Sequence, residues 1–386
     1  MTVGVSAIAP ARRVATVPRS GIRAAAESLS PDLANLAAGD PSFATPAHIC
    51  AAAVQAAQHG ATHYTHGRGE LELREAFADK LARENGLVDV DPEREIVVTA
   101  GALNALAAIF QALLDPGDEA LVPDPGLPNY GAQVLLAGGR PVPAPLDSSS
   151  GWCYDLDGLE RRVTPRTRLL VVNSPANPTG AVLPGEHLRA LAEFARVHDL
   201  IVVSDEAYER LVYPPAGHRS FAALPGARER TISVFSVSKS YAMTGWRIGF
   251  TVAPAALSDV LLTVQEHLIG CPCSVSQAAA VAALRGPSTV VHRMVDEYRR
   301  RRDLVVKVLG GLAGVDLVPP AGGLYAFPRV DSLGSDPAAV IAARARVRVV
   351  AGEAFGEVGR GHVRLSFAGK TGELQVALER LRPLLS

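Results

Sequence analysis

Short apolar runs alternate with longer amphipathic stretches along most of this chain, and the alternation is regular from about residue 94 to 252. The runs Glu95 to Thr99, Asp118 to Pro123, Arg168 to Asn173, Leu200 to Ser204 and Thr231 to Val237 are short, continuous and rich in β-branched residues, the pattern of strands buried on both faces. Helices are predicted between and around them, over Ala47–Gln58, Leu71–Asn85, from Ala102 onward, and over Glu186–His198, Pro254–His267 and Val275–Leu284. The repeat of strand and helix predicts an α/β fold with a mainly parallel sheet covered on both faces. Beyond it the pattern changes. A long helix (Ser288 to about Leu312), a turn and strand (Ala321 to Phe327), strands at Val347 to Val350 and His362 to Phe367, and a last amphipathic helix (Thr371 to Leu385) describe a smaller α+β unit. On the strand at 362–367, Val363, Leu365 and Phe367 alternate with Arg364 and Ser366, so Arg364 projects from the face opposite the apolar one.

Residues 1–44, rich in Ala, Pro and Arg, read as an arm with one short helix near Ile22 to Leu29. The expected division is an arm that joins the small domain (1–44), a large domain (45–286) and a C-terminal small domain (287–386). With 386 residues, 48% of them hydrophobic, the chain can bury a large core. A net charge of −1 gives no general attraction to nucleic acid or membrane, which leaves small molecules and further copies of the chain as partners. No run has the length of a membrane span or of a signal-peptide core, and the four cysteines make neither a zinc knuckle nor a Cys-x-x-Cys pair, so a reduced, cytoplasmic protein is expected. His59, His63 and His66 lack the helical spacing and the nearby acid of a metal site, and no metal is expected.

The chemistry concentrates in Ser236-Val237-Ser238-Lys239-Ser240-Tyr241-Ala242-Met243-Thr244-Gly245-Trp246-Arg247-Ile248-Gly249. A lysine at the end of a buried strand is a desolvated amine, a nucleophile for an aldehyde, and the aldehyde with an anionic handle is pyridoxal 5′-phosphate. Ser236, Ser238 and Arg247 are candidate phosphate ligands, the arginine through its planar fork. The strand ending at Thr99 turns through Gly101 into a helix opening at Ala102 and Leu103, whose free N–H groups form a phosphate cradle. Asp205 ends an apolar strand at the sheet edge where ligands bind in open α/β sheets. Pro175 and Pro178 hold Asn177 on a rigid turn at another strand end.

Together these segments, in order from Gly39 to Arg364, resemble the class I/II aminotransferases, the fold type I group of pyridoxal phosphate enzymes. The resemblance implies a mainly parallel seven-stranded sheet in the large domain and a homodimer. It makes Lys239 the Schiff-base lysine, and Ser236 and Arg247 phosphate ligands. Asp205 would pair with the pyridine nitrogen, Asn177 and Tyr208 would hydrogen-bond the cofactor's 3-oxygen, and Tyr64 would reach the phosphate in the partner subunit. Gly39, Asn177 and Arg364 would hold the substrate, Arg364 clamping its α-carboxylate. Leu127 departs from the pattern, because its position usually carries an aromatic ring against the cofactor; Tyr130 is a candidate substitute. A dicarboxylate substrate would need a second cation, for which Arg13, Arg19, Arg23 and Arg68 are candidates. The implied reaction is transfer of an amino group between an L-amino acid and a 2-oxo acid. The alternative on the same scaffold is a lyase, decarboxylase or β/γ-replacement enzyme of specialised metabolism, toward which Leu127 points. A pyridoxal phosphate-sensing regulator would need a DNA-binding domain, for which the 1–44 arm is too short.

Overall fold

The computed structural model describes residues 10–27 and 32–386. Its centre is an eight-stranded sheet with the order Ile96–Thr99, Gly249–Val252, Thr231–Ser236, Ile201–Asp205, Thr167–Asn173, Glu119–Asp124, Arg140–Asp147 and Cys153–Tyr154. The five strands from Thr231–Ser236 to Arg140–Asp147 run parallel, and the others join antiparallel at the two edges. The strand count exceeds the expected seven by the two-residue Cys153–Tyr154, too short to leave a period-two signal.

Both faces of the sheet are covered, which is why the strands read as unbroken apolar runs. Leu169 and Val171 pack with Leu106, Ile109 and Phe110 of the helix Ala102–Leu113, whereas Leu170 and Val172 face Leu188, Leu191 and Phe194 of Gly185–Val197 on the other side. The register sets the strand ends level: Asn173 lies opposite Asp205, and Asp205 opposite Val234, two residues before the strand at Ser236 ends.

A second core joins the helices Thr289–Leu309, Pro337–Ala345 and Thr371–Leu385 to an antiparallel sheet of Tyr325–Ala326, Val363–Ser366 and Val350–Ala351. Near the N-terminus, Ala34–Asn35 pairs with Val347–Arg348, tying the arm to this unit. The expected helix at Ile22 to Leu29 is found as Gly21–Glu27, and residues 28–29 lie outside the described residues. The helix predicted over 71–85 changes to π geometry at Leu81–Asn85. Among the described residues, five α-helices lie outside the predicted ones: Arg12–Ala15, Asn129–Leu136, Leu156–Glu160, Val237–Ser240 and Pro337–Ala345.

Candidate active site

Asp205 is fully enclosed at the end of its strand. The Tyr130 hydroxyl donates to its Oδ2 at 2.7 Å, the Ala207 N–H donates to Oδ1 at 3.2 Å, and the Asn173 amide donates to its backbone carbonyl at 2.9 Å. Burial lifts its carboxyl above the ordinary range, although the bonds from Tyr130 and Ala207 pull the other way. A carboxylate desolvated in this manner is stabilised by a cation placed against it. Tyr130 therefore holds Asp205 in place through its hydroxyl.

The turn that follows has two sides. Asp205 and Tyr208 bond toward Tyr130 and Tyr325, while Glu206 and Glu209 anchor the turn from the other side. Glu206 accepts from Ser204 at 2.9 Å, Ser220 at 2.6 Å, His218 at 2.9 Å and the Phe221 N–H at 3.2 Å. Glu209 is ion-paired to the buried Lys80 and accepts from Asn85. Among the described residues, Glu206, Glu209 and His218 are the one group of side chains close enough to share a metal ion. Their oxygens are already filled by these donors and Lys80 supplies the positive charge, so the cluster is a structural anchor.

Backbone groups and a guanidinium build an anion cradle nearby. Gly101 has φ 85° and caps the helix Ala102–Leu113 with no side-chain bond, which leaves the first-turn N–H groups facing outward. A Cβ on Gly101 would overlap the guanidinium of Arg247, and one on Gly249 would lie 2.8 Å from the Ala102 nitrogen. Arg247 itself holds φ 55°, a left-handed conformation that favours glycine, and its fork donates to the carbonyls of Thr244 at 2.8 Å and Ala100 at 3.4 Å. Ser236 Oγ accepts from the Ser238 N–H at 3.1 Å and donates to the Ile248 carbonyl at 3.4 Å. Guanidinium, hydroxyl and helix-terminal N–H groups in one place form a set of donors that suits a phosphate. Leu103, on the first turn, exposes its side chain and offers backbone only.

Lys239 stands on the single helical turn Val237–Ser240 just past its strand, half-buried, with Nζ donating to the Gly39 carbonyl at 2.7 Å. Gly39 has its own steric reason to be glycine: a Cβ there would overlap the hydroxyl of Tyr325 and come within 2.8 Å of its ring.

Arg364 lies in the strand Val363–Ser366, which is buried on both faces, so the residue predicted to project from the polar face is itself only 1% exposed. Its fork donates to Asn177 Oδ1 at 3.1 Å and to the Ala37 carbonyl at 2.6 Å, and its Nε has no partner among the described residues. Burial depresses its pKa, opposed by Tyr325 and Tyr208. The Tyr208 hydroxyl meets that of Tyr325 at 3.1 Å.

Not every candidate joins this group. Tyr64 is 96% exposed on its loop. Leu127 is half-buried, packed on one side against the core that includes Tyr130, and so borders the group beside Asp205. Arg68 is corrected as a substrate cation, because it is buried, ion-paired with Asp259 and bonded to Ser258 and the Arg94 carbonyl. The sequence gives no sign of Tyr130 at Asp205 and marks Tyr325 only as part of a turn and strand.

The family described as aminotransferase class I and II matches residues 31–381. The chain belongs to this family. This aminotransferase is 41% identical to an aspartate aminotransferase of Pyrococcus abyssi, with 92% of each chain covered, and 44% identical to a probable aspartate/prephenate aminotransferase of Thermus aquaticus, again with 92% of each covered. The solved aspartate aminotransferase of Thermus thermophilus with maleate superposes on it with a TM-score of 0.92 at 40% identity, covering 98% of this aminotransferase and all of that chain. An aromatic aminotransferase from Pyrococcus horikoshii does so with a TM-score of 0.89 at 42% identity, covering 94% and 98%. The fold is therefore fold type I and the protein is a transferase enzyme. Among its described residues, no helix is long and apolar enough to cross a membrane.

Proposed function

We propose that this aminotransferase holds pyridoxal 5′-phosphate at Lys239 and passes amino groups between an L-amino acid and a 2-oxo acid, at a site completed by a second copy of the chain. The observation that carries the reading is a pair of buried ionisable groups with no counter-ion among the described residues, Asp205 and Arg364. An isolated buried charge is costly, and each matches a charge that a reactant would bring. A protonated pyridine ring suits Asp205, and an α-carboxylate suits the fork of Arg364 with Asn177 and Gly39 beside it.

Bound pyridoxal phosphate supplies an aldehyde for a Schiff base and a ring that stores the electrons of a broken bond. The chain supplies the rest. The Gly101 turn, the first-turn N–H groups of Ala102 and Leu103, Ser236, Ser238 and Arg247 would hold the phosphate. Asp205, fixed by Tyr130 and Asn173, would keep the ring nitrogen protonated. Tyr208 and Asn177 would face the ring's 3-oxygen, and Leu127 would pack against the ring without aromatic stacking. The Lys239 amine is the base for the α-proton of the amino acid.

The arm (1–44) with the C-terminal unit (287–386) would form one domain and residues 45–286 the other. Tyr64 supports the homodimer, since its loop is pinned by Ser274 Oγ to the Ala61 carbonyl at 2.7 Å and by Gln277 to Thr65 at 2.9 Å, yet it presents its ring to solvent. Four unpaired cysteines favour a reducing, cytoplasmic setting. Acidic and aromatic L-amino acids, named in the relatives, are the first donors to try. For a side-chain carboxylate, the exposed Arg13, Arg19 and Arg23 are the remaining candidate cations.

The test is spectroscopic. Purified protein supplied with pyridoxal phosphate should show a visible absorbance band, lose it on adding a donor with one equivalent of oxo acid released, and regain it with an acceptor oxo acid. Lys239→Ala should abolish the cycle. A band that persists in Lys239→Ala, or release of ammonia or carbon dioxide in place of oxo acid, overturns the reading.

A further inference from the structure

Tyr325 sits where the two halves of the site meet, and none of the assigned roles uses it. It opens the strand Tyr325–Ala326, whose antiparallel register sets Tyr325 opposite Ser366 and therefore diagonal to Arg364 on the same sheet face. The guanidinium carbon of Arg364 lies 4.3 Å from the Tyr325 ring centre and 5.0 Å from that of Phe355, so an aromatic ring approaches the cation on each count. Two of the fork's five donors are taken by Asn177 and Ala37, and the others remain for a carboxylate.

The other end of the same side chain reaches the second half of the site. The hydroxyls of Tyr325 and Tyr208 are 3.1 Å apart with the rings edge to face, and the Tyr325 hydroxyl occupies the space a side chain at Gly39 would need. Gly39 in turn accepts the Lys239 amine. We propose that Tyr325 is a positioning residue with two separable tasks: its ring is the platform that holds Arg364 for a substrate carboxylate, and its hydroxyl orients that of Tyr208. The inference rests on the roles given above to Arg364 and Tyr208.

The titration behaviour of the pair has the matching direction. Burial raises the Tyr208 phenol, with Tyr325 adding to the rise. Burial acts the same way on Tyr325 but is outweighed by the charges of Arg364 and Lys239 and by the bond from Tyr208, so that phenol is lowered. Either hydroxyl can donate to the other, and Asp40, Asp205, Tyr130 and Tyr298 are the other titratable groups that interact with one or the other.

Two substitutions separate the tasks. Tyr325→Phe keeps the platform and removes the hydroxyl. It should leave the KM of the preferred donor, and the calorimetric Kd of that donor's unreactive α-methyl analogue, within about twofold, while moving the pH at which the visible absorbance titrates by about 0.3 to 1 unit. Tyr325→Leu removes the platform and should raise both the KM and the analogue Kd about 3- to 30-fold. If the Leu variant does not fold, Tyr325→Met takes its place. An analogue Kd unchanged by Leu, or raised as much by Phe as by Leu, overturns the platform. An unmoved titration in Tyr325→Phe, or shifts in Tyr325→Phe and Tyr208→Phe that simply add in the double variant, overturns the hydroxyl task. Arg364→Lys is the control: if it does not weaken the analogue, it is the carboxylate clamp that fails and not the role of Tyr325.

Discussion

Asp205 shows what burying a carboxylate costs a folded chain. Its folded-state pKa is raised, so the native state holds the proton more tightly than the unfolded chain does. The stability that follows is present at low pH and is lost as the pH climbs from the ordinary carboxyl value of 3.8 through the raised one, above which the cofactor-free protein carries a buried anion. Asp205→Asn keeps an acceptor for Tyr130 and removes that anion. Cofactor-free Asp205→Asn should therefore melt at or above the wild-type temperature at pH 8, with the difference shrinking toward pH 4, while turnover falls by at least about 100-fold. Calorimetry across that range checks the first part, and a clear drop in melting temperature at pH 8 would contradict it. At this scale the sequence was informative where a motif has one chemical meaning. Lys239, Arg247, Asn177 and Asp205 stand out as candidates because strand ends, prolines and glycines frame them. Tyr130 and Tyr325 could not, because an aromatic residue among apolar neighbours reads as core. Their partners are 75 and 117 residues away along the chain.

At the scale of elements, the anion cradle is assembled from the turn before one helix, the end of one strand and the start of another. Glycine is required where these backbones touch. A Cβ on Gly249 would meet the Ala102 nitrogen and the Gly101 carbonyl carbon at 2.8 Å and the Phe235 oxygen at 2.9 Å, all of them main chain. Because none of these can swing aside, Gly249→Ala should lower stability by about 1 to 3 kcal/mol and weaken retention of pyridoxal phosphate by about tenfold or more. Denaturant titration and equilibrium dialysis measure the two effects, and retention equal to wild type would exclude the close approach. The strands and most helices were legible because the sheet is buried on both faces, so apolar runs stand out from amphipathic ones. The helix Asn129–Leu136 was hidden by Pro128 before it and Gly131 within it, which read as a turn. The helix Pro337–Ala345 had a signal that could have been used: Asp336 caps it by accepting from the Ala339 N–H at 3.0 Å, and Pro337 stands at its first position.

The whole molecule links its two cores through the segment that carries Leu127. Asp124 accepts the N–H groups of Glu357 at 3.2 Å and Val358 at 3.1 Å, and the Gly126 N–H donates to the Phe355 carbonyl at 2.8 Å, so the end of a central strand is clipped to the loop whose Phe355 packs on Arg364. Such ties join residues more than two hundred positions apart, and nothing in the local pattern marks them. The exposed Tyr64 has the opposite character, a side chain that turns 96% of its surface away from the described residues of its own chain. If it serves the neighbouring subunit, genetic complementation becomes possible between two defective proteins. Lys239→Ala chains retain a sound Tyr64, and Tyr64→Ala chains retain a sound lysine. Refolded together in equal amounts, they should form hybrids in which one of the two sites is fully native, restoring activity to about a quarter of the wild-type level, since about half of randomly assorted dimers are hybrids. A mixture no more active than the sum of the separate proteins would show that each chain works alone.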